Sequence, residues 1–149
     1  MLKFCKTRIV CRTIIIDGAE NMLLVRNKKA NFWYPPGGYW NGKESLKGCA
    51  IREVFEETNL KISLSRLLYI QHFYQDKKNN SIELFWLADV LRDNTAINHF
   101  HKDENGIVEE SRWFSKKELG SVEVFPERLK KEFWREIKVL PEINDQFIV

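Results

Sequence analysis

Residues 38–60, GYWNGKESLKGCAIREVFEETNL, constrain this chain more than any other stretch. They read as a glycine turn, a helix start at Glu44 and Ser45, and about four helical turns ending at Thr58 and Asn59. With Glu53 at zero on a wheel of about 100° per residue, Glu57 lies about 40° to one side and Glu56 about 60° to the other. Three carboxylates therefore share one helical face within a single turn. Like charges at i,i+4 cost a helix about 0.2–0.5 kcal/mol per pair, so such a stack is unfavourable unless a cation sits on it. Gly48, Ile51 and Phe55 fall on the opposite face, which is expected to pack on a sheet.

A charged helical face is most often a solvated one. The longer spacing argues against that reading here. Gly38 is followed after five residues by Glu44, and after seven more by Arg52-Glu53. Val54, Phe55, Glu56-Glu57, Thr58, Asn59 and Leu60 complete the run. Six fixed residue types at ordinary usage coincide by chance about once in ten million start positions. The pattern resembles the signature of the Nudix hydrolase family, Gly-x5-Glu-x7-Arg-Glu-aliphatic-x-Glu-Glu-x-Gly-aliphatic. One position departs: Asn59 stands where the family has glycine. That position suits a left-handed helix cap, and asparagine is the next most tolerant residue there. Looser similarity runs from residues 35–38 to Trp113 and Phe114.

The resemblance implies an α/β fold, an α/β/α sandwich around a mixed β-sheet, formed by residues 1–149 as a single domain. It also implies hydrolysis of a nucleoside diphosphate linked to another moiety, with Mg2+ or Mn2+ as cofactor. In the family the metal ligands come from positions matching Glu53, Glu56 and Glu57 and from a backbone carbonyl of the glycine pair, here Gly37 or Gly38, which also approach the substrate. The position of Arg52 orients the glutamates, and that of Glu44 supports the loop–helix junction or the metal. The chemistry of the residues agrees. Clustered carboxylates take a hard cation that keeps open positions for substrate phosphates, and water attack on a phosphoanhydride then follows.

A further acid is expected outside the helix, because a carboxylate engaged by metal is a poor base for the attacking water. The resemblance implies that it comes from a loop or strand beyond the second hairpin: Glu104 in the polar loop HKDENG is favoured, Glu109 is next and Glu110 is a further candidate, both just before Arg112-Trp113-Phe114, with Glu53 or Glu44 as the fallback.

The other segments read as a frame for this helix. Residues 12–17 and 22–26 are expected to form a strand and a returning strand around Gly18-Ala19. Pro35-Pro36-Gly37-Gly38 is expected to give a stiff approach and then a free turn. Strands are expected at 66–75, 81–90 and 109–114, with residues 92–106 as a polar loop. The strand at 81–90 should have one core face and one partly facing a cleft. His99 and His101 in the loop are read as surface residues. Ser115 and Glu118 resemble a capping box, and residues 126–138 an amphipathic helix with Leu129, Phe133, Trp134 and Ile137 inward.

Composition excludes several classes. At 149 residues with 44% apolar and 30% charged side chains, the chain fits one soluble domain. Lys3, Lys6 and Arg8 interrupt the N-terminal apolar residues, so no signal peptide or membrane span is expected. Cys5, Cys11 and Cys49 are odd in number and form no CxxC, which points to a reducing, cytoplasmic setting. A net charge of +3 suits an anionic ligand. The expected partner is a nucleotide diphosphate-containing small molecule; nucleic acid is disfavoured, and a homodimer is left open. Trp33, Tyr34, Tyr39, Trp40, Phe73 and Tyr74 are candidates to stack on a base or to form core and rim. The alternatives to an enzyme of this class are a non-catalytic Nudix-fold nucleotide sensor and an RNA decapping hydrolase. The first would have lost signature carboxylates, and the second would favour an added basic domain.

Overall fold

Strand β1 (Arg8–Ile15) runs through the middle of the chain's larger sheet, and its alternation sets up two separate faces. Ile14 packs with Phe85 on one side, whereas Cys11 packs with Cys49 and Ala50 on the other. This arrangement comes from a computed structural model, which describes residues 6–27, 29, 31–91, 97, 100–102 and 108–140. For residues 100–102, 108 and 109 only the backbone is described.

The larger sheet also contains β3 (Gly37–Tyr39), β4 (Ile62–Tyr74) and β5 (Asn80–Val90) in the order β3-β1-β5-β4. β1 pairs parallel to β5 and antiparallel to β3, so the sheet is mixed. A second sheet has the order β2-β7-β6, built from β2 (Met22–Asn27), β6 (Phe100–Lys102) and β7 (Val108–Phe114). The chain turns back after β1 as expected, with an Ile16–Met22 bridge, but β2 then pairs with β7 in the other sheet. β1 begins four residues before the expected start. β6 lies inside the segment expected to be wholly loop, with His101 paired opposite Glu109 in its register; His99 lies outside the described residues.

Helix α1 (Leu46–Thr58) covers one face of the larger sheet. Ser45 caps it by accepting the Gly48 N–H at 2.9 Å. Asn59 closes it in the left-handed conformation, φ 62°, donating its N–H to Phe55, as the signature position predicts. The buried face is a different one from that expected. Cys49, Ala50, Val54, Glu57 and Thr58 face inward, while Ile51 and Phe55 are 41% and 47% exposed. The small side chains of Cys49 and Ala50 let the helix approach Cys11, Leu84 and Trp86 closely. The buried arc runs alongside the carboxylates instead of opposite them.

The other face of the sheets is covered by the C-terminal segment. Helix α2 (Lys116–Leu119) opens with the expected capping box between Ser115 and Glu118. A 3₁₀ turn (Glu127–Lys130) and helix α3 (Glu132–Glu136) follow. The expected single helix is thus broken at Lys131, whose φ of −135° is not helical. Leu119, Leu129 and Phe133 still enter a core with Ile14, Met22, Leu24, Trp33, Phe85 and Phe114. Each such buried side chain contributes about 1.5–3 kcal/mol. With α1 on one side and these helices on the other, the chain forms the expected α/β/α sandwich.

Candidate active site

α1 delivers its carboxylates to the glycines of edge strand β3. The Gly37 N–H donates to Glu57 Oε2 at 2.8 Å, and Glu57 is buried, at 7% exposure. The Glu53 carboxylate lies directly against the Cα of Gly38, where any Cβ would collide with it. A Cβ on Gly37, whose φ is +154°, would strike the carbonyl oxygen of Cys11 in β1. Both glycines are therefore demanded by close approach: Gly37 to its partner strand, Gly38 to the helix.

Arg52 gathers the remaining acids. Its Nη2 lies 2.7 Å from Glu44 Oε1 and its Nε 3.1 Å from both Glu44 oxygens. Nη1 donates to Glu53 at 2.8 Å and to Glu56 at 3.1 Å. One guanidinium thus ties the loop before the helix to two signature glutamates, in the forked geometry arginine favours. This offsets the repulsion expected of stacked carboxylates. Arg52 holds the Glu44 carboxyl below the usual carboxylate range. Burial pushes Glu53 up, with Arg52 opposing it.

The sign of a pH effect follows. A carboxyl held low in the folded state contributes stability above its unfolded pKa and loses it as pH falls through the folded value. Glu44→Gln should lower stability at pH 7 by about 1 kcal/mol, the upper end for a partly exposed pair. The gap from wild type should close as acid protonates Glu44. Urea unfolding at pH 7 and at successively lower pH measures both; a gap that does not change with pH would mean the Arg52–Glu44 charge pair is not its source.

The residues suit a hard divalent ion in the chemistry of their donors, all carboxylate or carbonyl oxygen, and in the side-chain-free cradle at Gly38. Their side chains are not yet gathered on one point. Glu53 and Glu56 each give an oxygen to Arg52, and no three acidic, His or Cys groups among the described residues meet at a metal-binding position.

A cleft of about 300 Å³ opens beside Gly37, Gly38 and Glu57. β1 contributes Arg8, Val10 and Arg12 to it, three residues at strand spacing on one face. Tyr34, Tyr39 and Phe73 line it too, together with Glu83, from the β5 face expected to meet a cleft. Trp33 instead belongs to the core, Trp40 donates to the Glu44 carbonyl at 2.7 Å, and Tyr74 is exposed. Arg8 and Arg12 are the cleft residues sequence reasoning missed. Their signal was the Arg-x-x-x-Arg spacing in a strand, visible only if the strand is begun at residue 8.

The expected extra acids divide differently. Glu104 lies outside the described residues, as does the side chain of Glu109. Glu110 is held by Arg26 Nε and Nη2 at 2.8 Å and does not line the cleft. Cys11 and Cys49 are free and buried, and Cys5 is outside the described residues. Among the described residues no helix is long and apolar enough to cross a membrane.

Comparison with known proteins gives the same picture. The NUDIX domain matches residues 6–141. Human diphosphoinositol polyphosphate phosphohydrolase NUDT4B is 30% identical over 111 residues, 73% of this chain and 58% of that protein. Mouse diphosphoinositol polyphosphate phosphohydrolase 3-alpha is 29% identical over 111 residues, 73% of this chain and 63% of its own length. The match therefore spans about six-tenths of these relatives. A NUDIX hydrolase from Nitrosomonas europaea superposes with a TM-score of 0.68 at 22% identity, covering 91% of this chain and 93% of that one. A UDP-X diphosphatase gives 0.68 at 20% identity over 92% of this chain and 66% of that one. With the domain matched almost end to end and the signature glutamates packed against their glycines, the chain belongs to the NUDIX hydrolase family.

Proposed function

We propose that this chain hydrolyses a phosphoanhydride bond within a diphosphate that joins two larger groups, in the manner of a nucleoside diphosphate linked to another moiety. The observation that carries the reading is the seating of Glu57 and Glu53 on Gly37 and Gly38, the two glycines that line the cleft with Glu57. A sensor without activity would have no need of these acids, two of them partly or wholly desolvated against backbone.

Glu53, Glu56 and Glu57, with a carbonyl of Gly37 or Gly38, are the residues that would hold Mg2+ or Mn2+. Such an ion neutralises phosphate oxygens and lowers the pKa of a bound water. The chain's own groups do the rest. Arg52 fixes the rotamers of Glu53 and Glu56 through one guanidinium, and Glu44 fixes Arg52. The Gly37–Glu57 hydrogen bond holds the strand against the helix, so a diphosphate entering the cleft meets Glu57 in a fixed position. Glu104 is the proposed base for the attacking water. Glu53 or Glu44 is the alternative.

The test is a panel of diphosphate-linked compounds, with and without nucleosides, incubated with Mg2+ or Mn2+ and analysed for products. Cleavage between the two phosphorus atoms is expected. No product from any member would leave the sensor reading standing. Glu104→Gln assayed across pH locates the base: loss of the acid limb supports Glu104, and an unchanged profile returns the role to Glu53 or Glu44.

A further inference from the structure

Two polar side chains on the floor of the cleft lack the partners that their burial calls for. Glu83 is 5% exposed, and among the described residues its carboxylate meets only Arg12, whose Nε stands 3.4 Å from Oε2. That distance is long for a charge-assisted hydrogen bond. The same guanidinium also serves the Pro35 carbonyl at 3.3 Å and the Tyr34 ring. Ser81 is likewise 5% exposed, and among the described residues its hydroxyl has no hydrogen-bond partner. The two residues lie on one face of β5, two positions apart, and both line the cleft. Register sets their neighbours. Val10 of β1 lies beside Glu83, and Phe73 of β4 lies beside Ser81. Buried polar groups are ordinarily satisfied, and a carboxylate needs more than one weak contact to offset its lost hydration. The cleft is the side from which further partners can reach them.

The surroundings narrow the chemistry of what arrives. The charged residues lining the cleft are Arg8, Arg12, Glu57 and Glu83, two of each sign, so it holds no surplus of positive charge for a ring phosphorylated all round. A phosphate set beside Glu83 would also meet like charge. A sugar with free hydroxyls meets neither objection. Vicinal hydroxyls donate two hydrogen bonds in nearly one direction, and a carboxylate has the lone pairs to accept both, as an acidic side chain does for ribose in dinucleotide sites. The Ser81 hydroxyl can donate or accept beside it, and Phe73 offers an apolar ring to the C–H face of the sugar.

We infer that Glu83, with Ser81 beside it, is a specificity-determining residue that binds the free vicinal hydroxyls of a sugar in the substrate. The cleft thus prefers sugar-bearing diphosphates to fully phosphorylated polyols. The inference deepens the hydrolytic reading above and rests on the cleft being where the diphosphate is cleaved. The sugar is the ribose of a nucleoside or a second sugar across the diphosphate, and Glu83 reads the hydroxyl pair that the two share.

Calorimetric titration of metal-free protein tests this apart from turnover, with four probes. These are ADP-ribose, its counterpart lacking the 2′ and 3′ hydroxyls of the adenosine, the methyl ester of ADP (which has no second sugar), and diphosphoinositol pentakisphosphate. Wild type should bind ADP-ribose tightest and lose about 10-fold on the truncation that removes the bound hydroxyl pair, which also tells the two sugars apart. Glu83→Gln should bind ADP-ribose about 10-fold more weakly, yet bind that truncated probe as wild type does, because the two losses are one interaction. Ser81→Ala, a smaller change that keeps the test open should Glu83→Gln not fold, should lose about 3-fold in the same pattern. Glu132→Gln, which removes the same charge on α3 outside the cleft, should match wild type. In turnover the penalty should fall on KM, with kcat within a few-fold. A Glu83→Gln penalty that persists on both truncated probes overturns the inference and leaves hydrolysis standing. So does tighter wild-type binding of diphosphoinositol pentakisphosphate, or no binding of ADP-ribose. Hydroxyl-dependent binding through Glu83 with no hydrolysis of any probe keeps the sugar site and overturns the catalytic reading.

Discussion

Glu57→Gln and Glu56→Gln are each expected to lower kcat about 1,000-fold while the protein stays folded. Each change removes one negative charge from the proposed ion site and nearly preserves shape. Several kcal/mol of charge stabilisation in the transition state, at about 1.4 kcal/mol per factor of ten, gives a loss of this size. The stabilities should separate the two residues from ordinary structural acids. Glutamine at 57 keeps an oxygen to accept the Gly37 N–H and removes a buried charge, so stability should hold level or rise. At 56 the loss of the partly exposed Arg52 pair is offset by relief of repulsion from Glu53 and Glu57, for a net change within about 1 kcal/mol. Single-turnover assays alongside urea unfolding read both quantities. Near-wild-type turnover in both variants would remove these glutamates from the chemistry.

The second large effect is a contrast between neighbouring glycines. Gly38→Ala places a methyl group where the Glu53 carboxylate now lies, without a strained backbone angle. A carboxylate is the movable end of a flexible side chain, so the fold should survive and the carboxylate should shift. A displacement of about 1 Å in a positioned group costs about 100-fold in rate. Gly37→Ala differs, because its Cβ meets the Cys11 carbonyl and lies 2.7 Å from the Arg12 Cα, both backbone of the partner strand, and φ is +154°. Nothing there can rotate away. Overpacking and strain together should cost about 3 kcal/mol or more, and little folded protein should be recovered. Full activity in Gly38→Ala would show that Glu53 does not sit on Gly38 when the enzyme works.

The carboxylate helix was legible because spacing alone places Glu53, Glu56 and Glu57 together, and because its caps, Ser45 and Asn59, carry their own chemistry. Its orientation was not legible. Ile51 and Phe55 are the bulkier apolar residues, so hydrophobicity pointed to their face. What decides the matter is that Glu53 and Glu57 must reach Gly37 and Gly38, which turns the small residues Cys49 and Ala50 to the sheet. That demand is tertiary and leaves no trace in a hydrophobic wheel. The break at Lys131 escaped for a related reason. Leu129, Phe133 and Ile137 recur every four residues whether or not the helix is continuous. Partner choice between sheets, with β2 joining β7 and not β1, lies beyond what a local turn signal at Gly18-Ala19 can specify.

The central claim is that these glutamates act through a divalent ion. The most direct measurement is turnover of the best diphosphate substrate by wild-type protein treated with EDTA, then supplied with Mg2+ or Mn2+. Activity should vanish with chelation and return on addition of either ion, while Glu57→Gln regains almost none. Robust hydrolysis in metal-free buffer would contradict the account.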